Sequence, residues 1–267
     1  MHILFVTPEI APFSQETPLA RLSAVLPKAL QSTRALSSIS VVSPLYGFLD
    51  PEALHMARRL RTLKVARGKR KEQVEIYESI TPERVRVFFL KHPLFDTKGV
   101  YGDPGQGAYE NNAERFGFFC RAVVEFCEVF ALTVDLLHGL GWPTGLLPVY
   151  LDAFGSERLA DTLTVFSLGD PASQGVFPEK DFGVLELPQA LMSPKALSCQ
   201  GKVNFMQGGI HFGDFLLTSS PSHAAELLTK DGAGGLYEAL QGRRDDLEGL
   251  LSGVEYESWG PEKDPHL

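Results

Sequence analysis

The sequence predicts an α/β fold of the doubly wound kind, a mostly parallel sheet with helices on both faces and one inserted β-hairpin. Short apolar runs alternate with amphipathic stretches of helical length, which is the pattern of strands wrapped by helices. The strand-like runs close on Pro, Gly or His-Gly, where a parallel strand hands over to a loop. One stretch, over 60–76, trades helical period for strict alternation, so it reads as a hairpin set into the parallel order.

The elements follow in order. Residues 3–6 form a buried first strand, 7–18 a long loop, 19–36 a helix, and 39–43 a second strand ending at Pro44. The hairpin turns at Arg67-Gly68-Lys69, and the next strand covers 85–90. A glycine-rich loop over 91–109 leads into a helix with Asn111 and Asn112 as caps and Phe116, Phe119, Val123 and Phe126 on its apolar face. Residues 134–137 form a strand closed by His138-Gly139, 144–153 its helix, and 162–167 the following strand. From 168 to 194 the chain is irregular and rich in Gly and Pro, and it is expected to cover the top edge of the sheet. Helices resume over 196–210 and 222–229, on either side of a strand at 215–219, and a turn spans 232–235. Asp245, Asp246 and Glu248 read as a solvated acidic turn.

Composition narrows the function. With 267 residues, 44% of them hydrophobic, the chain reads as one domain over 1–267. No apolar run is long enough to cross a bilayer, and the apolar start has no basic leader, so neither membrane insertion nor export is expected. A net charge of -8 disfavours nucleic acid and anionic surfaces as partners. The local exception is eight basic residues within 58–71: Arg58, Arg59, Arg61, Lys64, Arg67, Lys69, Arg70 and Lys71, read as a solvated hairpin before an anion site. Cys120, Cys127 and Cys199 form no disulfide framework, which fits a cytoplasmic protein. The histidines show no metal-ligand spacing, so no metal and no cofactor are expected.

In an open parallel sheet ligands bind beyond the carboxyl ends of the strands. The loop after the first strand runs Pro8-Glu9-Ile10-Ala11-Pro12-Phe13-Ser14-Gln15-Glu16-Thr17-Pro18. A phosphate cradle needs glycines for close backbone approach and usually a lysine. Here Gln15 is neutral, Glu16 repels phosphate and Pro18 has no N–H.

The stretch LFVTPEIAPFSQETPLARLSAVLPKAL over 4–30 resembles the opening of bacterial glycogen synthases and plant starch synthases, PEIAPFAKTGGLADVxGALPKAL. The likeness continues through His92-Pro93-Leu94-Phe95-Asp96, Tyr101-Gly102-Asp103, Asn112-Ala113-Glu114-Arg115-Phe116, Trp142 with Thr144-Gly145-Leu146, Gln174-Gly175-Val176-Phe177-Pro178 and Gly201-Lys202-Val203-Asn204-Phe205. It reaches 247–259, similar to LSGILNGVDYDVW. The resemblance implies the Rossmann-like N-terminal half of a GT-B glycosyltransferase, in a family that moves glucose from ADP-glucose onto an α-1,4-glucan between two domains. It covers only the first of those domains, so no C-terminal nucleotide-binding domain is expected in this chain.

The departures from the family pattern fall on its chemistry. Lys-Thr-Gly-Gly becomes Gln15-Glu16-Thr17-Pro18, the following Asp becomes Arg21, and HxHDW becomes His138-Gly139-Leu140-Gly141-Trp142. TIHNLAYQG becomes a segment containing Gly169, Asp170 and Gln174, and NGVD becomes Ser252-Gly253-Val254-Glu255. Gln15, Glu16, Thr17, Pro18, Arg21, Leu140, Gly141, Gly169 and Asp170 are therefore degenerate donor-site positions, and no catalytic residue is expected. Tyr109, Asn112, His138, Trp142 and Gln174 are candidate carbohydrate contacts. The bland readings beside them are helix capping for Asn112, a surface ion pair for Arg115, a satisfied strand-end imidazole for His138 and a loop-fixing role for Glu9. The expected function is a catalytically silent protein- or glucan-binding module, with its partner on the face left open by the missing domain near Tyr256 and Trp259. The alternative is one half of a split glycosyltransferase.

Overall fold

The computed structural model describes residues 1–31, 33, 38–81, 84–130, 133–251, 253 and 260–263. The end of the first expected helix, and Ser252, Glu255, Tyr256 and Trp259, lie outside the described residues.

The first half of the chain contains strands β1 (His2–Val6), β2 (Ser38–Pro44), β3 (Ala57–Arg58), β4 (Leu63–Arg67), β5 (Arg70–Ile80) and β6 (Arg86–Lys91), with helices α1 (Leu19–Gln31) and α2 (Asn112–Val129). The second half contains β7 (Leu136–Leu140), β8 (Leu163–Ser167), β9 (Val176–Phe177), β10 (Ser198–Cys199), β11 (Lys202–Asn204), β12 (Phe215–Thr218) and β13 (Leu247–Gly249). Its helices are α3 (Leu147–Phe154), α4 (Phe205–Phe212), α5 (Pro221–Leu227) and α6 (Tyr237–Gln241).

The main sheet runs β13-β12-β8-β7-β1-β2-β6-β5-β3, with β4 paired to β5. From β13 to β6 every pairing is parallel, and β3, β4 and β5 add an antiparallel edge. β1 lies at the centre because its Ile3, Leu4, Phe5 and Val6 are buried, as a strand covered on both faces requires. The chain winds outward through β2 and β6, then returns to β7 and winds the other way. Right-handed crossovers on the two sides of that reversal place α1 on one face of the sheet, and α3 and α4 on the other.

The inserted hairpin forms as its alternation predicts: Arg67 pairs with Arg70 across a two-residue turn in which Gly68 takes φ 61°. Its inward residues Leu63, Val65, Val74 and Ile76 are fully buried, and the hairpin packs on α2.

Three segments differ from the sequence reading. The helix expected over 196–210 begins only at Phe205. Before it, Gln200 and Gly201 both adopt positive φ, at 52° and 75°, and turn β10 into β11; Asn204 then caps α4 by accepting from the Gln207 N–H at 3.0 Å. β7 continues through His138 and Gly139 to Leu140, three residues past its expected end at 137, because β1 and β8 pair it on both sides. The expected acidic turn is a 3-10 turn at Arg244–Asp246 followed by edge strand β13; Arg243 holds it with an ion pair to Asp246 at 2.7 Å. Among the described residues no helix is long and apolar enough to cross a membrane.

Candidate functional site

The winding reverses between β1 and β7, and the loops that leave their carboxyl ends meet there. Gly141, just after β7, has φ 73°, and a Cβ on it would lie 3.0 Å from the Leu19 side chain that opens α1. The crevice is therefore walled by the loop over 7–18, the turn after β7, and the loop over 92–111.

Glu9 organises the first wall. It is fully buried, and its carboxylate accepts from the backbone N–H of Glu16 at 2.7 Å and of Thr17 at 3.0 Å, from the Thr17 hydroxyl, and from the Tyr101 hydroxyl at 3.0 Å. Thr7 completes the turn, donating to the Glu9 carbonyl at 2.8 Å and sharing a hydrogen bond with Ser23 of α1 at 2.7 Å. Glu9 is thus a loop anchor, and it bends 7–18 back over the start of α1.

Arg115 organises the opposite wall. It is 0% exposed, so the surface ion pair expected for it is corrected: its place in the first turns of α2 points it under the 92–111 loop. It donates to the carbonyls of Leu94 at 3.0 Å and Val100 at 2.9 Å, to Asn112 Oδ1 at 2.6 Å and to the Thr97 hydroxyl at 3.1 Å. The rings of Tyr109, Phe116 and Tyr46 lie 4.7, 5.3 and 5.9 Å from its guanidinium carbon. Burial holds its pKa below the usual arginine value, with Tyr46, Tyr109 and Glu16 opposing that shift. Capping is corrected as well, since Asn111 takes the cap position without a side-chain bond. Asn112 is buried, with its oxygen on Arg115 and its amide on the Tyr101 carbonyl at 2.8 Å.

Of the remaining expected carbohydrate contacts, Tyr109, Gln174 and His138 have polar groups engaged inside the protein, and Trp142 is packed among aromatic rings. Tyr109 donates to Asp103 at 2.5 Å and accepts from the Gly99 N–H at 3.2 Å. Gln174 donates to the carbonyls of Pro171 and Gly234, and it accepts from Asn204 at 2.6 Å. Trp142 is half-buried among Tyr101, Phe116, Phe177 and Phe205, and its ring lies so close to Gly175 that a Cβ there would come within 2.2 Å of it. His138 is only 3% exposed, packs on Phe5 at 4.9 Å and hydrogen-bonds Ser167 Oγ at 2.7 Å. Burial depresses its pKa to about 4, which keeps the imidazole neutral. These side chains hold the rim loops in place.

The degenerate donor-site positions divide between the exposed rim of the crevice and the core beneath it. Gln15, Glu16, Thr17 and Pro18 are exposed, and Gln15 donates to the Pro12 carbonyl at 3.3 Å. The Glu16 carboxylate accepts from the backbone N–H of Val100 at 2.6 Å and of Tyr101 at 3.4 Å, so it bridges the two walls. Arg21 is exposed on the first turn of α1. Leu140 is fully buried at the end of β7, and beyond β8 Gly169 precedes Asp170, whose carboxylate accepts from the Ala172 N–H at 2.8 Å. Among these positions Arg21 alone is cationic, beside Glu16, Asp170 and neutral groups, where a diphosphate would need several cations. Among the described residues no group of three or more His, Cys, Asp or Glu is placed to hold a metal ion.

The basic hairpin lies at the far sheet edge. Its arginines are largely matched by carboxylates: Arg58 with Glu75, Arg59 with Glu78, and Arg67 with both Glu72 and Glu114, while Arg61 donates to the Val129 carbonyl. Sequence reasoning missed Tyr101 as the hydroxyl joining the walls and Ser167 as the partner of His138. The Gly99 to Gly102 spacing around Tyr101 was the available signal.

Comparison with known proteins places this geometry. The family profile described as the starch synthase catalytic domain matches residues 2–242. Two glycogen synthases, from Anaeromyxobacter sp. (strain Fw109-5) and Anaeromyxobacter dehalogenans (strain 2CP-C), are 35% and 36% identical over all of this chain and 55% of their own length. The chain thus spans about half the length of the curated relatives it matches. The solved catalytic domain of starch synthase IV from Arabidopsis thaliana, bound to ADP and acarbose, superposes with a TM-score of 0.88 at 24% identity, over all of this chain and 54% of that one.

Two outcomes test the site. His138 is neutral when folded and titrates near 6.5 when unfolded, so stability falls as pH drops through 6.5 toward 4. Urea unfolding at pH 7 and 4.5 should show wild type losing about 2 to 3 kcal/mol more than His138→Gln between those values. Arg115→Lys cannot reach four separated acceptors with one ammonium, and its urea midpoint should correspond to a loss of about 3 kcal/mol.

Proposed function

The chain belongs to the starch synthase catalytic domain family, a glycogen synthase-like glycosyltransferase domain, and from that premise we propose that it is catalytically silent by itself and serves as a binding module. The observation that carries this reading is Glu16. Its carboxylate occupies the crevice between the loops over 7–18 and 92–111, where the family pattern places groups that hold the donor phosphates. Gln15 adds no charge there, and Pro18 brings no N–H. Leu140 and Gly141 replace side chains able to hydrogen-bond a sugar hydroxyl. Retaining glucosyl transfer has to stabilise a departing diphosphate and an oxocarbenium-like centre, mainly through preorganised donors, and this wall supplies few.

The occupant of the module is a protein in preference to an α-1,4-glucan. The polar groups of Tyr109, Asn112, His138 and Gln174 are engaged within the rim, and the Trp142 ring is packed against Gly175. A second reading, one half of a glycosyltransferase whose donor-gripping wall comes from another polypeptide, is favoured by the ordered rim that Glu9 and Arg115 maintain. Under that reading glucose transfer appears only on mixing with the partner.

The purified chain should transfer no measurable glucose from ADP-glucose or UDP-glucose to glycogen, and it should run unretarded in glycogen-containing native gels. Turnover at ordinary enzyme concentration contradicts the proposal. Gln15→Lys restores one charge-assisted contact of about 1.5 to 3 kcal/mol, so calorimetry should show its ADP affinity rising by about tenfold or more over wild type.

A further inference from the structure

The contact between Glu16 and the turn over 99–101 contains more than a carboxylate resting on a loop. The N–H groups of Val100 and Tyr101 are consecutive and both aim at the Glu16 carboxylate. Successive backbone N–H groups turned toward one point make a concave anion receptor. Gly99 leaves room for the anion: a Cβ on it would lie 2.8 Å from Glu16 Oε1 and 2.1 Å from the Gly102 carbonyl.

Arg115 stands behind this receptor. Its Nη1 donates at 2.9 Å to the Val100 carbonyl, which belongs to the same peptide group as the Tyr101 N–H. A cation on the oxygen end of a peptide polarises it and strengthens the N–H at the other end. All the hydrogen bonds described for the guanidinium go to carbonyl, amide and hydroxyl oxygens. The Glu16 carboxylate sits at the far end of that same peptide, accepting from the Tyr101 N–H, so the guanidinium and the carboxylate face each other across one polarised amide. The two other carboxylates nearby are each bound to a phenol, Glu9 to Tyr101 and Asp103 to Tyr109.

We propose that the turn over 99–101, backed by Arg115, is a receptor for a phosphate-class oxyanion, and that Glu16 is its built-in occupant, which a phosphate must displace. The inference deepens the proposed function, because it gives a physical reason why this crevice holds no diphosphate. Displacing Glu16 frees one of the two ties between the crevice walls and leaves the Glu9 tie in place.

Amide 1H–15N spectra of the full chain, titrated with inorganic phosphate and separately with glucose 1-phosphate, test it. In Glu16→Ala the Val100 and Tyr101 amides should shift saturably. In wild type the tethered carboxylate competes, so the apparent affinity should be about tenfold weaker or more, with Glu16→Gln between the two. Matching shifts with both probes identify the phosphate group as what is recognised; shifts with glucose 1-phosphate alone support the receptor and assign it to a sugar phosphate. The absence of saturable shifts at Val100 and Tyr101 in both variants, with the rest of each spectrum like wild type, overturns the proposal. Equal affinity in wild type and Glu16→Ala overturns the role of Glu16. Either failure leaves the glucose-transfer assay unaffected, so the two readings are separable.

Discussion

The Arg115 guanidinium ties together the Leu94 and Val100 carbonyls, the Thr97 hydroxyl and Asn112 at the start of α2. A charge withdrawn from water is tolerated only where its donors are matched, and one left incomplete is strongly destabilising. The loop over 92–111 is therefore obliged to close around it. That obligation orients the Val100 and Tyr101 N–H groups into the crevice and sets the Tyr101 hydroxyl where Glu9 can accept from it.

From this constraint the two walls of the crevice become a single unit. Glu9 holds the Glu16 and Thr17 N–H groups on its own side and Tyr101 on the other, while Glu16 reaches across to Val100 and Tyr101. The two carboxylates thus cross-link the loops in opposite directions. Several of the N–H donors of these walls are thereby satisfied within the chain. A satisfied donor gains little from an incoming ligand, since binding must first break an existing bond.

The fold was legible from the sequence because alternation and apolar runs report burial directly. β1, the hairpin and the apolar face of α2 follow from Ile3 to Val6, from Leu63 to Ile76 and from Phe116 to Phe126. The segment before α4 was not legible, because its course depends on the left-handed backbone of Gln200 and Gly201, which no periodicity encodes. The same limit applied at the site. Glu9, Glu16 and Arg115 stand out as charges along the chain, but their pairing joins residues 84 to 92 positions apart or lies beneath a loop, and only tertiary closure makes it visible. His138 was readable as a satisfied imidazole, while its partner Ser167 depends on the register of β7 with β8.

Burial separates what this chain keeps of the family pattern from what it replaces. Glu9 and Arg115 are wholly enclosed, Trp142 lies in an aromatic cluster, and replacing any of them would leave unsatisfied groups or a cavity. Gln15, Pro18 and Asp170 are exposed, and surface substitutions away from structural contacts usually change stability by only about 0.5 kcal/mol; Glu16 and Thr17 are exposed too but hydrogen-bonded within the walls. Leu140 is the informative exception. It is buried at the end of β7, where an imidazole would meet a desolvation penalty like the one that keeps His138 neutral, and leucine fills that space without a partner. A framework enforced by enclosed polar contacts and a rim free to change chemistry are thus two consequences of the same packing.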